Sequence, residues 1–157
     1  MADEDKQPER QLALQKLYVK DVSFETPNSP NVFTLKWEPA VEFNLNTNAT
    51  TLQEDLYEIT LTVTVTVKLE DKTAYLVEVS QAGIFALMGF SAAELGPLIG
   101  SYCPNILFPF AREAVSDLVI KGGFPPMLLA PVNFDALYAQ HLQQAQEASP
   151  DASQRSH

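Results

Sequence analysis

The stretch Leu56-Tyr57-Glu58-Ile59-Thr60-Leu61-Thr62-Val63-Thr64-Val65-Thr66-Val67-Lys68-Leu69 decides the fold class. Apolar side chains hold every odd position from Tyr57 to Val67, and polar ones hold every even position from Glu58 to Lys68. A helix would scatter that pattern around its circumference, whereas a strand sorts it onto opposite faces. The valines and threonines are β-branched, which suits a pleated surface. One long strand is predicted, apolar on one side and hydroxyl-rich on the other.

Outward from this strand, Glu70-Asp71-Lys72 reads as a short hairpin loop, and Tyr75 to Phe85 as the returning strand. Upstream, Leu12 to Phe24 and Val32 to Leu45 give two earlier strands. Between them Pro27-Asn28-Ser29-Pro30 cannot donate to a ladder at either proline and forces a crossing loop; Pro39 breaks or bulges the second strand. All six glycines lie between Gly83 and Gly123, and the pattern there changes to helix and loop. Ser91-Ala92-Ala93-Glu94 is a capping box opening a short helix, which Gly96-Pro97 ends or bends. A longer helix is predicted from about Pro104 to Lys121, stopped by Gly122-Gly123. Pro125, Pro126 and Pro131 stiffen an extended connection. Asn133 then caps a last helix, with Asp135 in its first turn and Phe134, Leu137, Tyr138, His141, Leu142 and Ala145 on one stripe.

Strands followed by helices argue for an α+β fold: a four-stranded antiparallel sheet with a crossing connection and two C-terminal helices packed on one face. Residues 11–146 are expected to form this single domain. Residues 1–10 and 147–157 read as disordered, because both are polar and lack an apolar period. The long helix is apolar beyond one stripe: Leu107, Phe108, Ala111, Ala114, Val115, Leu118 and Val119 are joined by Ile106, Phe110 and Ile120 outside it. One sheet covers one side of a helix, and four strands leave two free edges, so self-association is expected.

Chemistry is sparse. The only cysteine and histidines are Cys103, His141 and His157, too few for a structural zinc site and without a Cys–His pair close in sequence. Cys103, a lone cysteine beside Pro104 and apolar residues, reads as a packed side chain, with a nucleophile activated at a helix start as the competing reading. No phosphate-binding glycine pattern or nucleophile elbow occurs. No cofactor or metal is expected. Twenty acidic against ten basic residues leave a formal charge of −10, which excludes phosphate-backbone binding and favours basic partners. No apolar run approaches the length of about 20 residues that a membrane span needs, so no direct membrane insertion is expected. The acidic start Met1-Ala2-Asp3-Glu4-Asp5 is unlike a signal peptide and points to a cytoplasmic protein. What remains is apolar and aromatic surface, which binds partners by area.

Four strings carry a resemblance: Lys20-Asp21-Val22-Ser23-Phe24-Glu25-Thr26-Pro27-Asn28, Gly83-Ile84-Phe85, Tyr102-Cys103-Pro104-Asn105-Ile106-Leu107-Phe108-Pro109-Phe110-Ala111-Arg112-Glu113, and Leu129-Ala130-Pro131-Val132-Asn133-Phe134-Asp135-Ala136-Leu137. In this order the chain resembles the SecB family of protein-export chaperones over about residues 12 to 145, departing from it at the ends and in residues 86–99. The resemblance implies a non-enzymatic, ATP-independent chaperone that holds unfolded secretory precursor proteins. It implies delivery to the SecA translocation motor through that motor's basic, zinc-bearing C-terminal tail. It implies a homotetramer, a dimer of dimers in which sheets join edge to edge and the long helices are sandwiched between them. Asp21, Glu25, Leu76 and Glu78 match the family's SecA-docking positions. Val77, Val79 and Gln81 match its dimer–dimer contact, and Trp37, Val41, Phe43, Leu45, Phe110, Tyr138 and Leu142 match its substrate groove. A general anti-aggregation holdase, or a toxin–antitoxin-associated chaperone, is the alternative.

Overall fold

The computed structural model describes residues 9–154. Strands β1 (Gln11–Glu25), β2 (Ala40–Gln53), β3 (Leu56–Leu69) and β4 (Lys72–Met88) form one antiparallel sheet in the order β1-β4-β3-β2. β2, β3 and β4 make a meander, and the chain crosses from β1 on one edge to β2 on the other. Glu70 and Asp71, with φ of 50° and 66°, turn the β3–β4 hairpin in two residues, the geometry that matches strand twist. The expected alternation of β3 holds: Ile59, Leu61, Val63, Val65 and Val67 are completely buried, and the threonines face the other way.

The second strand differs from the reading of Val32 to Leu45. Asn31–Thr34 is a turn of 3-10 helix, and β2 starts only after Pro39. It then runs on through Asn46, Thr47, Asn48, Ala49 and Thr50, each facing a β3 residue from Thr62 to Glu58. Those residues carry no apolar alternation; the hairpin partner extends the strand.

Helix α1 (Ala92–Pro97) starts at Ser91, whose hydroxyl accepts the Glu94 amide at 3.3 Å. A π-helical segment, Leu98–Tyr102, joins it directly to α2 (Cys103–Lys121), so Gly96-Pro97 bends the path without ending it. α2 lies across β4 and β3, burying Leu107, Phe108, Ala111, Val115 and Val119 against the valines of β3 and Tyr75, Val77, Val79 and Phe85 of β4. Each of these leucine, valine and phenylalanine side chains contributes about 1.5–3 kcal/mol when fully buried. Gly83 lies under packed side chains: a Cβ there would lie 3.1 Å from Leu107 Cδ2 and 3.0 Å from Leu14 Cδ1. A connector without regular structure leads to α3 (Phe134–Gln154), where Asn133 Oδ1 accepts the Ala136 amide at 3.0 Å. α3 continues past residue 146 into the segment read as a disordered tail. Gln143, Gln144, Ala145, Gln146 and Glu147 favour helix and no glycine stops them; a missing apolar period does not by itself exclude helix. Residues 1–8 and 155–157 of the two expected tails lie outside the described residues.

Candidate functional site

The leucines, valines and phenylalanine of β1 fall at 12, 14, 17, 19, 22 and 24, so the spacing alternates between two and three. Each three-residue step coincides with a register shift against β4, between Leu14 and Lys16 and between Val19 and Asp21. A bulge inserts one residue and moves the residues after it to the opposite face. The bulge at Lys20 therefore sends Val22 and Phe24 to the helix-covered face and Asp21, Ser23 and Glu25 to the outer one. On β4, Glu25 faces Leu76, Ser23 faces Glu78 and Asp21 faces Ser80. Asp21, Glu25, Leu76 and Glu78 thus form one patch on the outer face. Asp21 and Glu25 are exposed, and Glu78 accepts a hydrogen bond from the Thr64 hydroxyl at 3.1 Å.

Beside this patch Lys20 Nζ meets Glu58 Oε1 at 2.7 Å, and the Tyr18 hydroxyl donates to Glu58 Oε2. The Lys20 and Tyr18 hydrogen bonds hold the Glu58 carboxyl below its usual range. Burial, with Glu58 adding, pushes the Tyr18 phenol up to about 12. The network neutralises Lys20, the base nearest the acidic pair, so the patch keeps its negative character.

The helix-covered face ends in uncovered apolar surface. Val41, Phe43 and Leu45 on β2 face Val67, Val65 and Val63 across the ladder, so they point to the side on which α2 lies. α2 does not reach them: Val41 is 49% and Phe43 42% exposed. At one end of this strip stands an aromatic cluster. Phe124 contacts Phe33 at 5.0 Å, Tyr75 at 4.8 Å and Trp37 at 6.1 Å between ring centres. At the other end Leu45 enters a cleft of about 480 Å³ with Ile99, Phe134, Leu137 and Tyr138, and His141 at its lining. Gly96 and Gly100 floor the cleft, and the Tyr138 ring rests on their bare backbone. The Ser101 hydroxyl donates to Asp135 and ties the start of α3 to this floor. Leu142 is exposed one turn beyond Tyr138.

Six of the seven expected groove residues therefore lie along one path, from Trp37 through β2 to α3. Phe110 does not. It lies on the opposite flank of α2, beside β1, in a hollow with Leu17, Val19 and Ala114. Val77 and Val79 are completely buried within the chain, beneath α2, and the nearly buried Gln81 donates its side-chain amide to the Tyr18 carbonyl at 3.0 Å. Cys103 is buried, and burial pushes its thiol up to about 12, the reverse of what a nucleophile needs. Sequence reasoning did not add Phe33, Ile99 and Leu137 to this strip, nor the buried Phe124 that backs its aromatic end. The aromatic cluster draws on three segments, around Phe33 and Trp37, at Tyr75 and at Phe124, and no local pattern joins them. The Tyr138 seat did leave one: two glycines four residues apart share a helix face.

Comparison with known proteins places the chain among relatives of one family. The family model of the preprotein translocase subunit SecB matches residues 4–145. The protein-export protein SecB of Methylococcus capsulatus is 72% identical over 152 residues, covering 97% of this chain and 98% of its own. That of Nitrosococcus oceani is 61% identical, covering 88% and 85%. Among solved structures, the Mycobacterium tuberculosis Rv1957 SecB-like chaperone, in complex with a ChAD peptide from the Rv1956 HigA1 antitoxin, has a TM-score of 0.65 at 12% identity, covering 77% of this chain and 90% of that one. At that identity the likeness is one of fold.

Proposed function

The chain belongs to the SecB family of protein-export chaperones, and from that premise we propose how its surfaces divide the work. The strip from Trp37 along Val41, Phe43 and Leu45 to Tyr138 and Leu142 holds apolar segments of unfolded precursor proteins. The carrying observation is that these side chains face the core side of the sheet yet lie beyond the helix that covers it. Docking there removes apolar area from water at roughly 25 cal/mol per Å², less the cost of ordering the client. No step needs nucleotide. The protein acts in the cytoplasm, on precursors that have not yet been exported; among the described residues no helix is long and apolar enough to cross a membrane.

The acidic patch of Asp21, Glu25, Leu76 and Glu78 receives the basic, zinc-bearing tail of the SecA motor. Its position on the outer face, away from the groove, lets the chaperone meet the motor while loaded. The assembly is a homotetramer of two dimers. Its support is the surface that one copy leaves open: Phe110 and Ile120 on α2, and Val19 and Val22 on β1, are exposed. Val77, Val79 and Gln81 bear on this assembly from behind, by seating α2. The deciding experiment is whether the purified protein keeps an unfolded precursor soluble without ATP. Sustained solubility at stoichiometric chaperone is expected; aggregation at the rate of the precursor alone would refute client holding.

A further inference from the structure

The connector between α2 and α3 passes behind the aromatic end of the groove and places an oxidisable side chain there. Tyr75 is completely buried, and its hydroxyl donates to Met127 Sδ at 3.6 Å. Burial pushes the phenol up to about 12, so it stays a donor at neutral pH. A thioether is a weak acceptor. The Met127 carbonyl is held separately, accepting from Ser116 Oγ at 2.8 Å. Met127 itself is only half-buried. The Tyr75 ring touches Phe124, and Phe124 touches Phe33 and Trp37 at the mouth of the groove.

We propose that Met127 is an oxidation site through which peroxides weaken the groove's hold on aromatic client segments, an inference that rests on the client-holding reading above. The sulfur lone pair attacks one peroxide oxygen, the O–O bond breaks, an S–O bond forms, and the other oxygen leaves as water after taking up a proton. Sulfur is oxidised and the peroxide reduced. A flexible apolar side chain becomes a polar sulfoxide whose oxygen accepts strongly. The Tyr75 hydroxyl turns to that oxygen, and the ring, tilted against Phe124, moves with it. A groove that binds many sequences depends on apolar rings free to repack, and this end of it is then polar behind and fixed in place.

The molecule contains its own controls. Trp37 is the only tryptophan, so its emission reports on this cluster. Met88 is exposed at the far end of β4, opposite Gln11. The whole protein is treated with hydrogen peroxide; mass spectrometry follows oxidation at Met88 and Met127, alongside Trp37 emission and retention of an aromatic-rich unfolded precursor. A change in emission and a several-fold loss of retention should track oxidation at Met127. Both should persist in Met88→Leu, vanish in Met127→Leu and reverse with methionine sulfoxide reductases. The proposal is overturned if Met127 stays reduced once Met88 is fully oxidised, if its oxidation changes neither readout, or if Met127→Leu suffers the same losses. If untreated protein retains no precursor, it is the client-holding reading that fails, and Trp37 emission still decides whether Met127 oxidation reaches the cluster.

Discussion

Cys103 and Glu58 show how side chains take their chemical character from their surroundings. The Cys103 thiol is buried in the first turn of α2, and that burial raises its pKa to about 12. At pH 8 it is a neutral thiol, so alkylation of the native protein should be slow, with no rise in rate centred below the usual thiol pKa, and should become fast only in denaturant. Cys103→Ala should retain precursor holding; a folded variant without that activity would restore the nucleophile reading. Glu58 is stabilised as a carboxylate by Lys20 and Tyr18, so its folded pKa lies below its unfolded one. Its contribution is complete above about pH 4.3 and is lost as pH falls through the folded value. Glu58→Gln should therefore be less stable than the parent at neutral pH, with the gap closing below about pH 4.3. Urea midpoints measured from pH 7 to pH 3 check this; parallel curves would show that the network adds no stability.

At the scale of elements, α3 depends on where it is seated. Its first turns are anchored by buried Phe134, by Ser101 on Asp135 and by Tyr138 on Gly96 and Gly100; beyond them Leu142 is exposed. A methyl group at Gly100 has no room beneath the Tyr138 ring. Gly100→Ala should cost about 1–3 kcal/mol if the ring stays and the site is overpacked. If the ring leaves, the cost falls but the cleft loses its wall. Either way the variant should release client several-fold faster while the far-ultraviolet spectrum stays that of a folded α+β protein. Unchanged release would mean that α3 is not a groove wall. The bulges of β1 make the same point for strands. One inserted residue, Lys20, decides that Asp21 and Glu25 share the outer face with Glu78, because a one-residue slip exchanges the faces of a strand.

For the molecule as a whole, the proposed division of tasks between the two faces of one sheet is open to direct test. Asp21→Lys with Glu25→Lys should weaken binding of the motor's basic tail by an order of magnitude, and parent binding should fall with salt. Single exposed pairs contribute only about 0–1 kcal/mol, so the double reversal is the informative variant. Precursor holding should survive; equal loss of both ligands by calorimetry would merge the two sites. Phe110 tests assembly from the other flank. It is 42% exposed in one copy, beside the apolar edge of β1. Phe110→Asp would place an unpartnered charge in a contact between copies, which is costly, and should shift light scattering toward smaller species at low micromolar concentration. A fully tetrameric variant would remove this flank from the interface.

The α+β class, the β3–β4 hairpin, the Ser91 and Asn133 caps and the excess apolar surface of α2 were legible because each depends on neighbours in sequence: period two, a cap and its third residue, a stripe at 3.6. The acidic pair was legible as a pair, since even spacing on a strand keeps two side chains on one side. Which side they take was decided by the bulge against β4, and the spacing of apolar residues in β1 is its only trace. Sequence spacing could not assign Phe110 to a flank of α2, because that depends on which strand ends up beside the helix. Nor could it place Val77 and Val79 in the core, or bring Phe33, Trp37, Tyr75 and Phe124 together. Those contacts join segments tens of residues apart, and only the order β1-β4-β3-β2, with α2 laid across its middle strands, decides which apolar residues are covered and which remain as surface.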